Sequence, residues 1–181
     1  MTVTPARGWK PLLLPVVAMT LVIVLSNVTV QYPINSWLTW GAFVYPLVFL
    51  VCDLTNRAIG PQQARRVAWI GFAVAVLVSG LLAPWRIALA SGTAFILSQL
   101  LDVLVFNRWR RANWWKAPLI GSQVASVVDT GVFFFLAFAG TPLVWWQLAG
   151  GDLVVKASMA VLLLAPYRAL LPHIQTWAPA R

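Results

Sequence analysis

Apolar runs separated by short connections that carry Pro, Gly or Arg repeat six times along this 181-residue chain. A helix needs about 20 residues to cross a hydrocarbon core of about 30 Å, and each run approaches or reaches that length. The pattern predicts transmembrane helices at 12–31, 38–56, 66–83, 87–106, 118–139 and 148–171. The third is the shortest and ends at Pro84. Brief connections make sequence neighbours pack as antiparallel hairpins. The expected fold is therefore an all-α membrane protein, a single transmembrane domain over 1–181 built as one bundle of six helices. The first run is too long for a signal-peptide core and lacks a small-x-small cleavage site after it, so it is read as retained.

Composition agrees. Hydrophobic residues make up 61% and charged residues 9%, which excludes an ordinary soluble globule. The net charge of +9 would suggest nucleic acid in a soluble protein, but here the basic residues follow topology. Arg7, Lys10, Arg57, Arg65, Arg66, Arg108, Arg110, Arg111, Lys116, Arg168 and Arg181 fall on one side of the alternating helices, and Arg86 alone on the other. This places both termini in the cytoplasm of a multi-pass inner-membrane protein, with the lipid bilayer as its surroundings and no nucleic-acid partner. The aromatic and basic run from Asn107 to Lys116 reads as an interfacial belt, as do several of the eleven Trp. One Cys and one His leave neither a disulfide framework nor a metal cluster, and no cofactor is expected. No phosphate loop is present, so ATP could drive this chain only through another subunit.

The candidate chemistry lies in the acidic residues, which are four Asp and no Glu. An ionisable group at bilayer depth costs roughly 2.5 to 3.5 kcal/mol, so it is read first as functional. The second run carries Tyr45, Phe49 and Asp53 at i, i+4 and i+8; the fourth has Gln99 and Asp102 one turn apart; the fifth has Ser122, Ser126 and Asp129 as a polar stripe. Ser26 and Asn27 add a polar step in the first run, and Asp152 stands four residues before Lys156 in the sixth. Serine and Asn groups also serve as interhelical hydrogen-bond glue. Asp53 has Arg57 one turn away and Asp152 has Lys156, so either could be a closed pair. Asp102 and Asp129 have no cation within a turn. Asp129-Thr130-Gly131 matches the aspartic-protease loop, but it occurs once and inside an apolar helix, and Cys52 and His173 form no recognisable triad. An enzyme is not expected; an intramembrane hydrolase is the weakest of the alternatives.

Asp53-Leu54-Thr55-Asn56-Arg57-Ala58-Ile59-Gly60 with Ala64-Arg65-Arg66 resembles a signature of the bacterial queuosine precursor transporters, within the wider vitamin-uptake-transporter-like group. Gln99-x-x-Asp102-Val103-x-Val105-Phe106-Asn107-Arg108, Trp114-Trp115-x-Ala117-Pro118, Asp129-Thr130 before Phe133-Phe134-Phe135, and Asp152-x-x-x-Lys156 resemble the same family in order. The connection around Pro84, Trp85 and Arg86 is shorter than in many relatives, and part of the wider group has Glu where Arg57 stands.

The resemblance implies import of 7-cyano-7-deazaguanine and 7-aminomethyl-7-deazaguanine for salvage of the tRNA nucleoside queuosine. A deazaguanine edge offers a ring N–H beside an exocyclic amine, which carboxylates accept. On this reading Asp102 and Asp129 take those donors or the aminomethyl cation, Gln99 supplies an amide, and Tyr45 or Phe49 stacks on the ring. Asn27, Asp53, Asp152 and Lys156 complete the candidate substrate-binding set. Three energy sources stay open: a proton coupled through a titrating Asp, facilitated diffusion, and a separate ATPase module of the energy-coupling-factor type. The first run offers only Ala18 among larger residues for docking such a module. A homo-oligomer is also left open.

Overall fold

The computed structural model describes residues 10–29, 32, 34, 35, 38 and 40–174, all in helices and short connections. Arg7 and Arg181, part of the charge pattern, lie outside the described residues, as do residues 30 and 31 at the end of the first predicted helix. Among the described residues, eight α-helices and a closing 3-10 turn build six spans: α1 (Lys10–Thr29), α2 (Gly41–Val44), α3 (Leu47–Ile59), α4 (Pro61–Leu82), α5 (Trp85–Trp109), α6 (Lys116–Phe138), α7 (Trp145–Leu162) and α8 (Leu164–Leu170), followed by Leu171–His173. The second span combines α2 and α3, and the sixth combines α7, α8 and the 3-10 turn.

Proline explains both interruptions. Pro46 has no N–H to give, so α2 stops at Val44 and α3 restarts at Leu47 after the Tyr45-Pro46 step. In the sixth span Pro166 cannot bond back to the carbonyl of Leu162, which is where α7 ends. Between α3 and α4 the chain turns at Gly60, whose φ of 90° is open to glycine and strained for other residues, and Pro61 begins the next helix. Helix α4 thus starts five residues before the predicted 66, and Arg65 and Arg66 ride on its first turns rather than in a loop.

The central span is α5, with eleven of its 25 residues buried, whereas the sixth span buries only Lys156, Ala160 and Tyr167 and shows Val154, Val161 and Leu162 outward. Such apolar outer faces suit lipid. Helix α5 packs most extensively against α6, then α4, and also meets α3. The α5–α6 approach is tight at Gly121, where a Cβ would lie 2.6 Å from Asp102 Oδ1. Gly121→Val is therefore expected to force the helices apart at a cost of about 1–3 kcal/mol, read as a lowered melting temperature of the detergent-solubilised protein.

Polar ties fix the two ends. Arg86 donates from Nε to the carbonyl of Leu136 (3.0 Å) and from Nη2 to that of Ala139 (2.5 Å), so the one basic residue of its side caps the last turn of α6. At the Arg-rich end, Arg57 Nε donates to Tyr167 Oη (3.0 Å) and Nη1 to the Arg110 carbonyl (3.1 Å). Arg110 in turn donates to the carbonyl and side chain of Asn56, and both guanidinium groups lie over the Phe106 ring. Burial, then the neighbouring Arg57 charge, lowers the Arg110 guanidinium to about 10, which leaves it protonated at neutral pH. These contacts join α3, α5 and α8.

Candidate functional site

A cavity of about 650 Å³ occupies the half of the bundle opposite the Arg57–Arg110 cluster, and its lining reaches Asn35 and Leu38 between the first two spans. Its volume falls within the roughly 300–1,000 Å³ of small-molecule sites. Rings of Tyr45, Phe95, Phe133, Phe134 and Phe138 form much of its wall. The last three come from one helix, with Phe133 edge-on to Phe134 at 5.1 Å between centroids and Phe134 tilted against Phe138 at 5.9 Å.

The polar part of the wall is a charged cluster. Lys156 Nζ lies 2.7 Å from Asp129 Oδ2 and 2.5 Å from Asp152 Oδ2, and it also donates to Thr130 Oγ1 at 3.2 Å. Tyr45 Oη donates to Asp129 Oδ1 (2.7 Å), and so does Ser98 Oγ (3.1 Å). Thr130 Oγ1 donates to Asp152 Oδ2 at 2.7 Å. The ammonium sits 5.0 Å from the centroid of the Tyr45 ring. Four spans thus converge on one group: Tyr45 before α3, Ser98 on α5, Asp129 and Thr130 on α6, and Asp152 and Lys156 on α7.

A count of lone pairs separates the two carboxylates. Each oxygen accepts about two hydrogen bonds. Asp129 Oδ1 already receives two and Oδ2 one, and its side chain is only 5% exposed. On Asp152 both bonds go to Oδ2, from Lys156 and Thr130, while Oδ1 has no partner among the described residues and the side chain is 18% exposed. Asp152 therefore offers an open acceptor edge to the cavity, and Asp129 chiefly holds the frame. Two carboxylates against one ammonium also leave the cluster net negative, which suits a ligand with N–H donors or a cation.

At the far end of the cavity Ser79 Oγ donates to Asn27 Oδ1 (2.9 Å), and the Asn27 amide donates to the carbonyl of Ile23 (2.9 Å). Of the nine residues expected at a substrate site, Asn27, Tyr45, Asp129, Asp152 and Lys156 line this cavity. Phe49, Asp53, Gln99 and Asp102 do not. Phe49 is 2% exposed in the core and packs against the Tyr45 ring at near right angles, 6.2 Å between centroids, so of these two rings Tyr45 is the one that lines the cavity. Asp53, Gln99 and Asp102 form a separate buried group nearer the Arg-rich end.

The expected pairing of Asp102 with Asp129 at one ligand is thus not what the bundle builds. Antiparallel packing sets Asp129 beside Ser98, four residues before Asp102, while Asp102 lies beside Gly121. Asp129, which has no cation within a turn of its own helix, receives one from α7, where Lys156 reaches it. Conversely, the closed pair considered for Asp53 and Arg57 does not form, since Arg57 bonds to Tyr167 and Arg110 instead. The suggested Asp152–Lys156 pair does form but is shared with Asp129. Ser79, Phe95, Phe134 and Phe138 line the cavity as well, and the sign of an aromatic wall in the sequence is the i, i+4 spacing of Phe134 and Phe138.

Comparison with known proteins adds independent findings. A family model described as "Putative vitamin uptake transporter" matches residues 39–84 and 79–170. The "Queuosine precursor transporter" of Escherichia coli K12 is 37% identical over 175 residues, covering 81% of this chain and 79% of that protein. A "Probable queuosine precursor transporter" of Haemophilus influenzae Rd is 34% identical over 154 residues, covering 71% and 66%. One of the same description from Bacillus subtilis 168 is 29% identical over 160 residues, covering 71% and 69%. No solved structure matches the chain.

Proposed function

Because the chain belongs to the vitamin uptake transporter family, we propose that it imports queuosine precursors, 7-cyano-7-deazaguanine and 7-aminomethyl-7-deazaguanine, across the bacterial inner membrane. The Arg-rich end and both termini face the cytoplasm in this reading, in keeping with the excess of basic residues at that end. The cavity then lies in the outer half of the bundle.

The open Oδ1 edge of Asp152, inside an aromatic-walled cavity of about 650 Å³, carries this reading. A deazaguanine ring is flat and stacks on an aromatic face, here that of Tyr45 or the Phe133–Phe138 wall. Its ring N–H and exocyclic amine point the same way, and one donor goes to Asp152 Oδ1 while the other reaches the remaining lone pair of Asp129 Oδ2. The aminomethyl form brings a cation to a cluster that is one positive charge short. Asn27, held by Ser79, supplies a polar contact at the opposite edge of the ring.

Lys156 keeps two carboxylates close together without a ligand; Thr130 and Tyr45 keep both oriented. The site needs no reacting bond and no resident cofactor, only a change in which end of the bundle it reaches.

Expression of the chain alone in cells that neither make nor import the precursors, followed by an assay of queuosine in tRNA with each base supplied, tests the proposal. Recovery with at least one base is expected. Absence of recovery with both bases, in cells whose membranes contain the protein, would refute it.

A further inference from the structure

The group formed by Asp53, Gln99 and Asp102 stands apart from the cavity lining. Asp53 on α3 and Asp102 on α5, 2% and 0% exposed, come together at consecutive residues of α6, Asp102 against Gly121 and Asp53 beside Ser122. Asp53 Oδ2 accepts one long bond from Ser122 Oγ at 3.4 Å. Asp53 Oδ1, both oxygens of Asp102 and both amide heteroatoms of Gln99 find no hydrogen-bond partner among the described residues. Gln99 is itself 0% exposed and stands one turn before Asp102 on α5. Gly121 of α6 presses so closely that a Cβ there would displace the Asp102 carboxyl from its place.

The other groups around this pair are few. The Cys52 thiol of α3 abuts Asp102, and Arg57 lies one turn beyond Asp53 with its hydrogen bonds directed to Tyr167 of α8 and to the Arg110 carbonyl. Ser122 faces the pair from α6, and α1 and α4 bring apolar side chains such as Met19, Ala64 and Val67 into the surrounding core. Two ionised carboxylates in contact and out of water repel each other; one proton held between them turns that repulsion into a hydrogen bond. Buried polar groups without partners are rare in folded proteins. Five such atoms in one place mark a site that takes up something, and facing carboxyl groups with no third acidic or His ligand suit a proton.

The location connects this site to the cavity. Asp102 lies four residues, about 6 Å along a helix, beyond Ser98, which donates to Asp129. Asp53 lies eight residues beyond Tyr45, which donates to the same carboxylate. The spans that bring the two Asp residues together, the second and α5, therefore also carry the hydroxyls that hold the cavity cluster.

We propose that Asp53 and Asp102 form a proton-binding pair through which a proton gradient drives uptake at the cavity; this rests on the import reading above. A proton from the outer solution joins one carboxylate to give a carboxylic acid hydrogen-bonded to the other, and it leaves to the cytoplasm as the substrate is released. No bond in the substrate changes.

The full chain reconstituted in liposomes with radiolabelled 7-aminomethyl-7-deazaguanine or 7-cyano-7-deazaguanine tests this, with a pH dye in the lumen. An inward substrate gradient should acidify the lumen of wild-type vesicles. An imposed gradient, acidic outside, should concentrate the base by about tenfold per pH unit for one proton per substrate. Asp102→Asn and Asp53→Asn should each still exchange labelled for unlabelled base but lose accumulation, with the ratio falling to about one. Wild-type exchange without acidification, or undiminished gradient-driven accumulation in both variants, overturns the proton site and leaves the import reading standing. Wild-type vesicles that exchange neither base bring down both.

Discussion

Lys156→Ala is expected to be the most damaging single substitution in this protein. The ammonium is 4% exposed and lies within 2.7 Å of carboxylate oxygens on both Asp129 and Asp152. Without it two carboxylates remain on adjacent helices in a site with little access to water. Breaking a buried ion pair from one side costs about 3–5 kcal/mol because the stranded charge keeps its desolvation penalty. Loss of transport together with a fall in melting temperature is expected, measured by uptake in cells and thermal unfolding in detergent. The double change Lys156→Met with Asp129→Asn should recover much of the stability, since it strands fewer charges, but not the transport. A Lys156→Ala protein as stable as wild type would show that the cluster does not hold α6 against α7.

Asp152→Asn is expected to have the largest effect on substrate affinity with a small effect on the fold. Asp129 still neutralises Lys156 in this variant, so no lone buried charge arises. The open acceptor edge, however, becomes an amide that can turn a donor toward the donors of the ligand. Hydrogen bonds to a charged group contribute about 1.5–3 kcal/mol each, and a loss of about 3 kcal/mol corresponds to roughly a 100-fold weaker Kd. Binding of the aminomethyl form, which brings its own cation, should suffer at least as much as that of the cyano form. A deazapurine without the exocyclic amine supplies the control. It should bind wild type poorly, and Asp152→Asn should weaken it far less than it weakens the parent base, a coupling that a double-mutant cycle isolates. Equal weakening of both ligands would show that Asp152 acts on the shape of the site and not on that amine.

These two residues also show how far a sequence can be read. Asp152 and Lys156 are four apart on a helix, so their contact was legible from spacing alone. Their importance relative to Asp129 was not. Asp129 looked more exposed to function because it has no cation within a turn, yet its counter-ion arrives from 27 residues downstream, and its two oxygens are largely occupied by Tyr45, Ser98 and Lys156. Asp53 was misleading in the opposite sense. Arg57 stands at the right spacing to pair with it, but that guanidinium is drawn to Tyr167 and Arg110 at the helix end, and Asp53 is left facing Asp102.

The apolar runs by themselves determined that the chain crosses the membrane six times, because hydrocarbon thickness and helix rise convert run length directly into spans. Proline set the interruptions at Pro46 and Pro166 through missing donors, and the loop-by-loop bias of Arg and Lys distinguished the two ends. The one-dimensional pattern also showed that carboxylates stand at bilayer depth. Only the tertiary structure decided which of them meet. The rotation of each helix and the register of α5 against α6 depend on close contacts such as Gly121 against Asp102, where a shift of one turn would exchange partners. That register divides the acidic residues into an open cluster in an aromatic cavity and a closed pair beneath it, a division that follows from packing between helices distant in sequence and leaves no mark in the spacing along any one of them.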